Sequence, residues 1–428
     1  MKAGLEQAQC GDPMPDCCRV VAAATLLLAI GGAPAQTLAA RVPNESLAGR
    51  ARVFALAQGG GTRPADAQGT DPRVREAYRQ ARELQARGDL DGALALLWQA
   101  SGSAPRDADI QIALAEGLER VGALDAAVEV WRAALAARPG DRKASRGLVL
   151  ALVAAGRGPE AVTLARAAAE ASPNDVEALF TLGLAQSEQD VSAALAAMRR
   201  VVERAPDHTL ARYNLALLLK RVDRLEEAIA ELMRVVAVEP RPEAHYALGL
   251  AWWHRGEAAR ATAAFQTTIA LEPRHAEAHH KLGAVRAAER DWPGAAAALR
   301  RALALRSDVP EVHETLARVL RASGDEPGAR AHLAEGDRLR REAEREHQAR
   351  TWTSIGSARL DSGDAIAALD AFRRALAIRG TYAPAHFQMG RALERLGDAE
   401  AADGAYARAR QLNPHLVRSP RTSPERNR

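Results

Sequence analysis

Residues Pro242 to His275 read PEAHYALGLAWWHRGEAARATAAFQTTIALEPRH, and this stretch decides the fold. Within it, His245, Leu248, Gly249 and Trp252 fall at i, i+3, i+4 and i+7, one face of a helix. Gly256 interrupts that pattern. Ala261, Phe265 and Thr268 then mark the inward face of a second helix. Pro273 closes the unit, since proline cannot continue a helix and restrains the residue before it. The stretch predicts a helix–turn–helix hairpin with small residues, Gly249 and Ala261, where the two helices approach.

The hairpin recurs. Gly88, Gly122 and Gly156 are 34 residues apart, as are Pro105, Pro139 and Pro173. Pro206 and Pro240 are again 34 apart, Pro273 follows after 33, and Gly363 and Gly397 return to 34. Ala93, Ala127, Ala161, Ala194, Ala228, Ala261, Ala295, Ala329, Ala368 and Ala402 share one place on the second helix. Ten units in phase, between about Val74 and His415, exclude coincidence. The pattern resembles the tetratricopeptide repeat, a family of 34-residue helical hairpins. That resemblance implies an all-α fold, a right-handed superhelical solenoid of about ten helix–turn–helix repeats, each packed only on its neighbours. It also implies a protein that binds other proteins.

Composition is consistent with thin helical layers: aromatics are 4% of the 428 residues. Basic and acidic residues number 58 and 54, a net charge of +4, so charge gives no case for nucleic acid or an anionic membrane as partner. Residues 1–35 read as a signal peptide. Arg19 precedes an apolar run from Val20 to Ile30, too short to span a bilayer, and Ala33-Pro34-Ala35 offers a cleavage site before Gln36. The acids Glu6, Asp12 and Asp16 ahead of that run leave open a start at Met14. Cleavage after Ala35 predicts a periplasmic or secreted protein with no membrane span. Cys10, Cys17 and Cys18 all lie in the leader, so the mature chain has no thiol for disulfide, metal or catalysis.

Residues 36–72, rich in Gly, Ala, Gln, Pro and Thr, read as a flexible linker, and 416–428 as a disordered tail. Repeats one to eight occupy 73–348 and repeats nine and ten 349–415. The division rests on an insertion: Gly363 follows Gly324 by 39 residues, not 34. The charged run RLRREAEREHQAR, Arg338 to Arg350, predicts that the second helix of repeat eight runs on into solvent. Whether it is only a solvated extension or also a hinge stays open. Repeat ten ends without a further solvating helix, so Phe387, Met389 and Leu393 are expected to be covered by the tail or by a second molecule through self-association.

The family places first-helix positions 5, 9 and 12 on the concave groove, a stripe about 100° from the packing face. Here the stripe gives Phe180 and Leu184, then Tyr213 and Leu217, then Tyr246, Leu250 and Trp253, then His280. An apolar, aromatic centre between charged ends (Arg82, Glu116 and Lys143 before; Glu311, Glu314 and Arg318 after) predicts a groove for a peptide or helix segment of a partner protein. Leu184, Leu217 and Leu250 stand where a carboxylate-clamping family member has asparagine, so that mode is not matched.

His245, His279, His313 and His386 share the family's usual tryptophan place and read as packing residues, and no metal site is expected. No phosphate loop, nucleophile elbow or dinucleotide fingerprint is present, and the repeats leave no room for a catalytic domain. No cofactor is expected. The reading is a non-catalytic scaffold or adaptor of the cell envelope. Two alternatives remain: a carbohydrate- or polymer-binding module stacking on Tyr213, Tyr246 and Trp253, or a cytoplasmic regulatory protein with a misread leader.

Overall fold

The computed structural model describes residues 72–413, so the leader, nearly all of the linker and the tail lie outside the described residues. Among the described residues the chain forms nineteen α-helices and no strand. It divides into two compact units between Ala197 and Met198.

The first unit holds α1 (Pro72–Arg87), α2 (Leu90–Ser103), α3 (Ala108–Arg120), α4 (Leu124–Ala137), α5 (Arg142–Ala154), α6 (Gly158–Ala171), α7 (Val176–Gln186) and the start of α8 (Val191–Arg204). The second begins within α8. It continues through α9 (Thr209–Arg221), α10 (Leu225–Val238), α11 (Pro242–His254), α12 (Ala258–Leu271), α13 (Ala276–Ala288), α14 (Trp292–Leu305), α15 (Pro310–Ala322), α16 (Glu326–Asp361), α17 (Ala365–Ile378), α18 (Ala383–Arg395) and α19 (Ala399–Leu412).

Local sequence sets each boundary. Turn residues adopt a left-handed backbone, as at Gly256 (φ 85°) and Gly324 (φ 90°), where glycine carries no steric cost. Asp223 and Arg290 take the same conformation at φ 60° and 63°. The fourth repeat, one residue shorter, dispenses with it: the Asp190 amide donates straight back to the Gln186 carbonyl. Aspartates after the turns cap the second helices, Asp291 accepting from the Gly294 amide and Asp325 from the Gly328 amide at 3.0 and 2.9 Å.

The ten alanines that share one place are each 0% exposed, which fixes the repeat alignment. Side chains four residues further on fill the hairpin interiors. Phe265 and Phe372 are 0% exposed, and burial of a side chain this large stabilises by roughly 1.5–3 kcal/mol. Glycine on the opposing helix makes room: a Cβ on Gly249 would stand 2.7 Å from the Phe265 ring.

The shared histidines do more than pack. Nε2 of His279, His313 and His386 meets the carbonyl six residues earlier (Pro273, Ser307 and Gly380) at 3.2, 3.2 and 2.9 Å. Gln111 and Arg212, at the same repeat position, donate to the carbonyls of Pro105 and Pro206. In these five repeats the position ties down the preceding inter-repeat loop.

Two expectations are corrected. The boundary between 348 and 349 falls inside a helix, because α16 runs unbroken for 36 residues and serves both as second helix of repeat eight and first of repeat nine. Nothing in the Arg338–Arg350 run can stop a helix: it lacks Gly and Pro and is dominated by strong helix formers. Ten hairpins therefore need nineteen helices, not twenty. Between Gly336 and Ala349 no residue of α16 is buried, so the predicted solvated stretch exists within a continuous rod of ~54 Å. Arg338 pairs along it with Glu335 and Glu342, while Arg340 reaches Glu314 and Glu346 reaches Arg379.

The second correction concerns the C-terminal end. Phe387, Met389 and Leu393 pack inside the last hairpins, against Leu369 of α17 and Tyr406 of α19, with the Phe387 and Tyr406 rings 5.4 Å apart. They are not an open end face. The outer side of α19 instead exposes Glu400, Asp403, Arg408, Arg410 and Gln411, the polar cap such an array requires. The basis for self-association through those apolar side chains is removed.

Candidate partner-binding stripe

In the second unit the predicted stripe lies on α9, α11 and α13. Tyr213, Leu217, Tyr246, Leu250, Trp253 and His280 are all half-buried, keeping part of each side chain accessible. In the first unit Phe180 and Leu184 are only 3% and 4% exposed, so they present almost no surface to a ligand. These two are core side chains, a distinction helical spacing alone does not make.

Packing fixes the aromatic side chains. The Tyr246 ring lies 5.8 Å from Phe265 and 4.9 Å from His275, centroid to centroid. Burial, and then the Glu243 carboxylate, push the Tyr213 phenol above its ordinary range. Burial, then Glu277, then Tyr213, do the same to Tyr246. Both phenols are neutral donors at any physiological pH. Burial chiefly, and then the Lys281 ammonium, hold the His280 imidazole down at about 4 against the opposing pull of Glu311 and Glu277, so it too is neutral.

A rule that hydrophobic patterning missed emerges here. Position 5 of one repeat lies within electrostatic reach of the acid at position 2 of the next: Tyr213 with Glu243, Tyr246 with Glu277, His280 with Glu311. In the first unit the equivalent pair is an ion pair, Arg146 with Glu177 at 2.9 Å. The recurrence of Glu at 177, 243, 277 and 311 was a readable signal.

The charged flank expected at the start of the groove is engaged internally. Glu116 accepts from Lys143 at 2.6 Å and from Arg82 at 3.3 Å, and Asp109 pairs with Arg138 at 3.0 Å. Such exposed pairs contribute only ~0–1 kcal/mol each, but they occupy the charges a ligand would use. Among the described residues no three His, Cys, Asp or Glu side chains converge as a metal site, and no helix is long and apolar enough to cross a membrane.

Tetratricopeptide-repeat patterns match residues 78–142, 112–176, 146–209 and 246–310, and a second pattern of the same description matches 185–251. The chain belongs to the tetratricopeptide repeat family. No curated protein matches it. A tetratricopeptide repeat protein from Parabacteroides merdae is 18% identical over 58% of this chain and all of its own, with a TM-score of 0.48. Pseudomonas aeruginosa PilF is 20% identical over 46% of this chain and 91% of its own, at 0.43. Residues 41 to the end of MamA from Desulfovibrio magneticus RS-1 are 21% identical over 40% of this chain and 98% of that one, at 0.36.

Proposed function

We propose that this tetratricopeptide repeat protein is a non-catalytic scaffold or adaptor of the cell envelope, exported by the leader cleaved after Ala35. It binds a segment of a partner protein along the first-helix stripe of repeats five to seven. The observation that carries this reading is the half-buried row Tyr213, Leu217, Tyr246, Leu250, Trp253 and His280, whose rigid aromatic members are suited to anchoring an apolar segment. The adjacent carboxylates Glu243 and Glu311 favour basic side chains flanking that segment, whereas Glu277 is already paired with Arg306.

Affinity capture from the native envelope tests it, with residues 36–428 as bait beside a Leu217→Glu, Trp253→Glu variant. A defined partner set retained by the wild type and lost by the variant supports the stripe. The same set on both baits moves the interface elsewhere. Sequencing the N-terminus of the mature protein tests export: Gln36 is expected, and an intact Met1 or Met14 would overturn it.

A further inference from the structure

The third repeat lacks a side chain that the other nine have. Four residues beyond the shared alanine of the second helix stands a large residue, from Leu97 and Trp131 in the first two repeats to Phe372 and Tyr406 in the last two. In repeat three that place is Ala165. The facing first helix is depleted too: Ser145 stands where repeat two has Gln111 and repeat four has Leu179.

Above Ala165 runs an open groove of about 690 Å³, larger than one missing side chain and wholly within the first unit. Its accessible walls are Leu135 of α4, Ser145 and Gly147 of α5, and Leu164 and Ala168 of α6. Neighbours close over Ala165 itself, which is 1% exposed, as is Val149. The Trp131 indole takes part in this, leaning onto α5 over Gly147, where a Cβ would stand 2.4 Å from the ring. Its Nε1 donates to Oε1 of Glu119 at 2.9 Å.

Charge at the mouth is selective. Lys143, Arg146 and Arg142 pair with Glu116, Glu177 and Asp175 at 2.6, 2.9 and 3.2 Å. Glu119 has the indole donor but no ion pair among the described residues. Burial, opposed by the indole hydrogen bond and reinforced by Glu116, raises its carboxyl to about 7. A ligand cation at this point would take over the role of the proton. A ligand anion would face two carboxylates and would have to break an existing ion pair.

We propose that this groove binds a small apolar molecule carrying an amine, its hydrocarbon body against Leu135, Leu164 and Ala168 and its nitrogen on the Glu119 carboxylate. The volume lies within the range of small-molecule sites, roughly 300–1,000 Å³, and exceeds what one inserted side chain fills. The apolar walls supply the affinity and the single acid the orientation. The proposal is independent of the partner stripe, which lies in the other unit.

Naphthylethylamine, naphthylethanol and naphthylpropionate share one apolar body and are suitable calorimetric probes of the full chain at neutral pH. The amine is expected to bind about ten-fold or more tighter than the carboxylate. Ala168→Leu narrows the groove from an accessible wall of α6, so it should keep the unfolding temperature while weakening all three probes by about ten-fold or more. Glu119→Gln should bring the amine level with the alcohol and leave the alcohol unchanged. Absence of binding by all three, equal binding of all three, or undiminished binding by a folded Ala168→Leu variant overturns the proposal.

Discussion

Repeats three and six have the same frame and opposite interiors. In repeat six, Phe265 fills the hairpin and rests on Gly249, with the Tyr246 ring tilted against it. In repeat three, Ala165 supplies no large side chain, and the Trp131 indole of the preceding repeat leans over Gly147 instead. The backbones agree nonetheless: both turns use a left-handed glycine, Gly156 at φ 74° and Gly256 at 85°, and Ala161 and Ala261 are both solvent-free. The close-approach alanine and the turn set the hairpin, whereas the side chain four residues on decides whether the hairpin fills its own interior or draws on a neighbour. Surfaces differ in parallel: ion pairs cover the first-helix stripe beside repeat three, and half-buried aromatics occupy it in repeat six.

The strongest way to break this comparison is to give repeat six the interior of repeat three. Phe265→Ala should cost ~3–5 kcal/mol in chemical denaturation, since the frame around it is built to the ring. A loss near zero would mean that repeat six relaxes to close the gap, as the neighbours of Ala165 close over it in repeat three. Ala261→Leu attacks the frame itself. That residue is 0% exposed, and overpacking should cost ~1–3 kcal/mol, so an unchanged denaturation midpoint would count against the repeat alignment.

Acid and base should separate the two units. Glu119 in the first unit is raised to about 7, so the folded chain keeps a proton that the unfolded chain releases near 4.5. Its contribution is greatest below pH 4.5 and is lost as pH rises toward 7. His280 in the second unit is lowered to about 4 from 6.5, so the unfolded chain takes the proton first, and stability falls as pH drops from 6.5 to about 4. After allowance for solvent screening each effect should be about 1–2 kcal/mol. Denaturation midpoints measured across pH should lose the first slope in Glu119→Gln and the second in His280→Gln. Retention of either slope in its variant would assign it to another group.

The smallest effect concerns the turns. Arg290 occupies at φ 63° the conformation that glycine takes in most of the repeats. Arg290→Gly should stabilise by ~0.5–1 kcal/mol, offset in part by the greater freedom of glycine in the unfolded chain. A destabilised variant would show that contacts of the arginine outweigh its backbone strain.

Most of the fold was legible because each hairpin is specified locally. The apolar spacing, turn glycine, terminal proline and shared alanine lie within 34 residues, so the repeats could be counted from Val74 onward. The seam at repeats eight and nine reads as a boundary in the sequence because the periodicity shifts there. Periodicity reports which face is buried, not whether a helix ends, and only a breaker ends one. The candidate stripe was half legible. Spacing placed Phe180 and Tyr213 on one stripe, but the extent to which neighbours cover each of them is a tertiary property.

By itself, the sequence determined an all-α array of ten tetratricopeptide hairpins, the alanine at each close approach and the histidines at one recurring place. Tertiary structure decided the rest: the fusion of two helices into α16, the engagement of the first unit's charges with one another, the covering of Phe387 and Met389 by α19, and the leaning of Trp131 over Gly147 beside the small Ala165. The physical reason is range. Turns, caps and amphipathic faces depend on residues a few positions apart, whereas exposure and volume depend on side chains a whole repeat away.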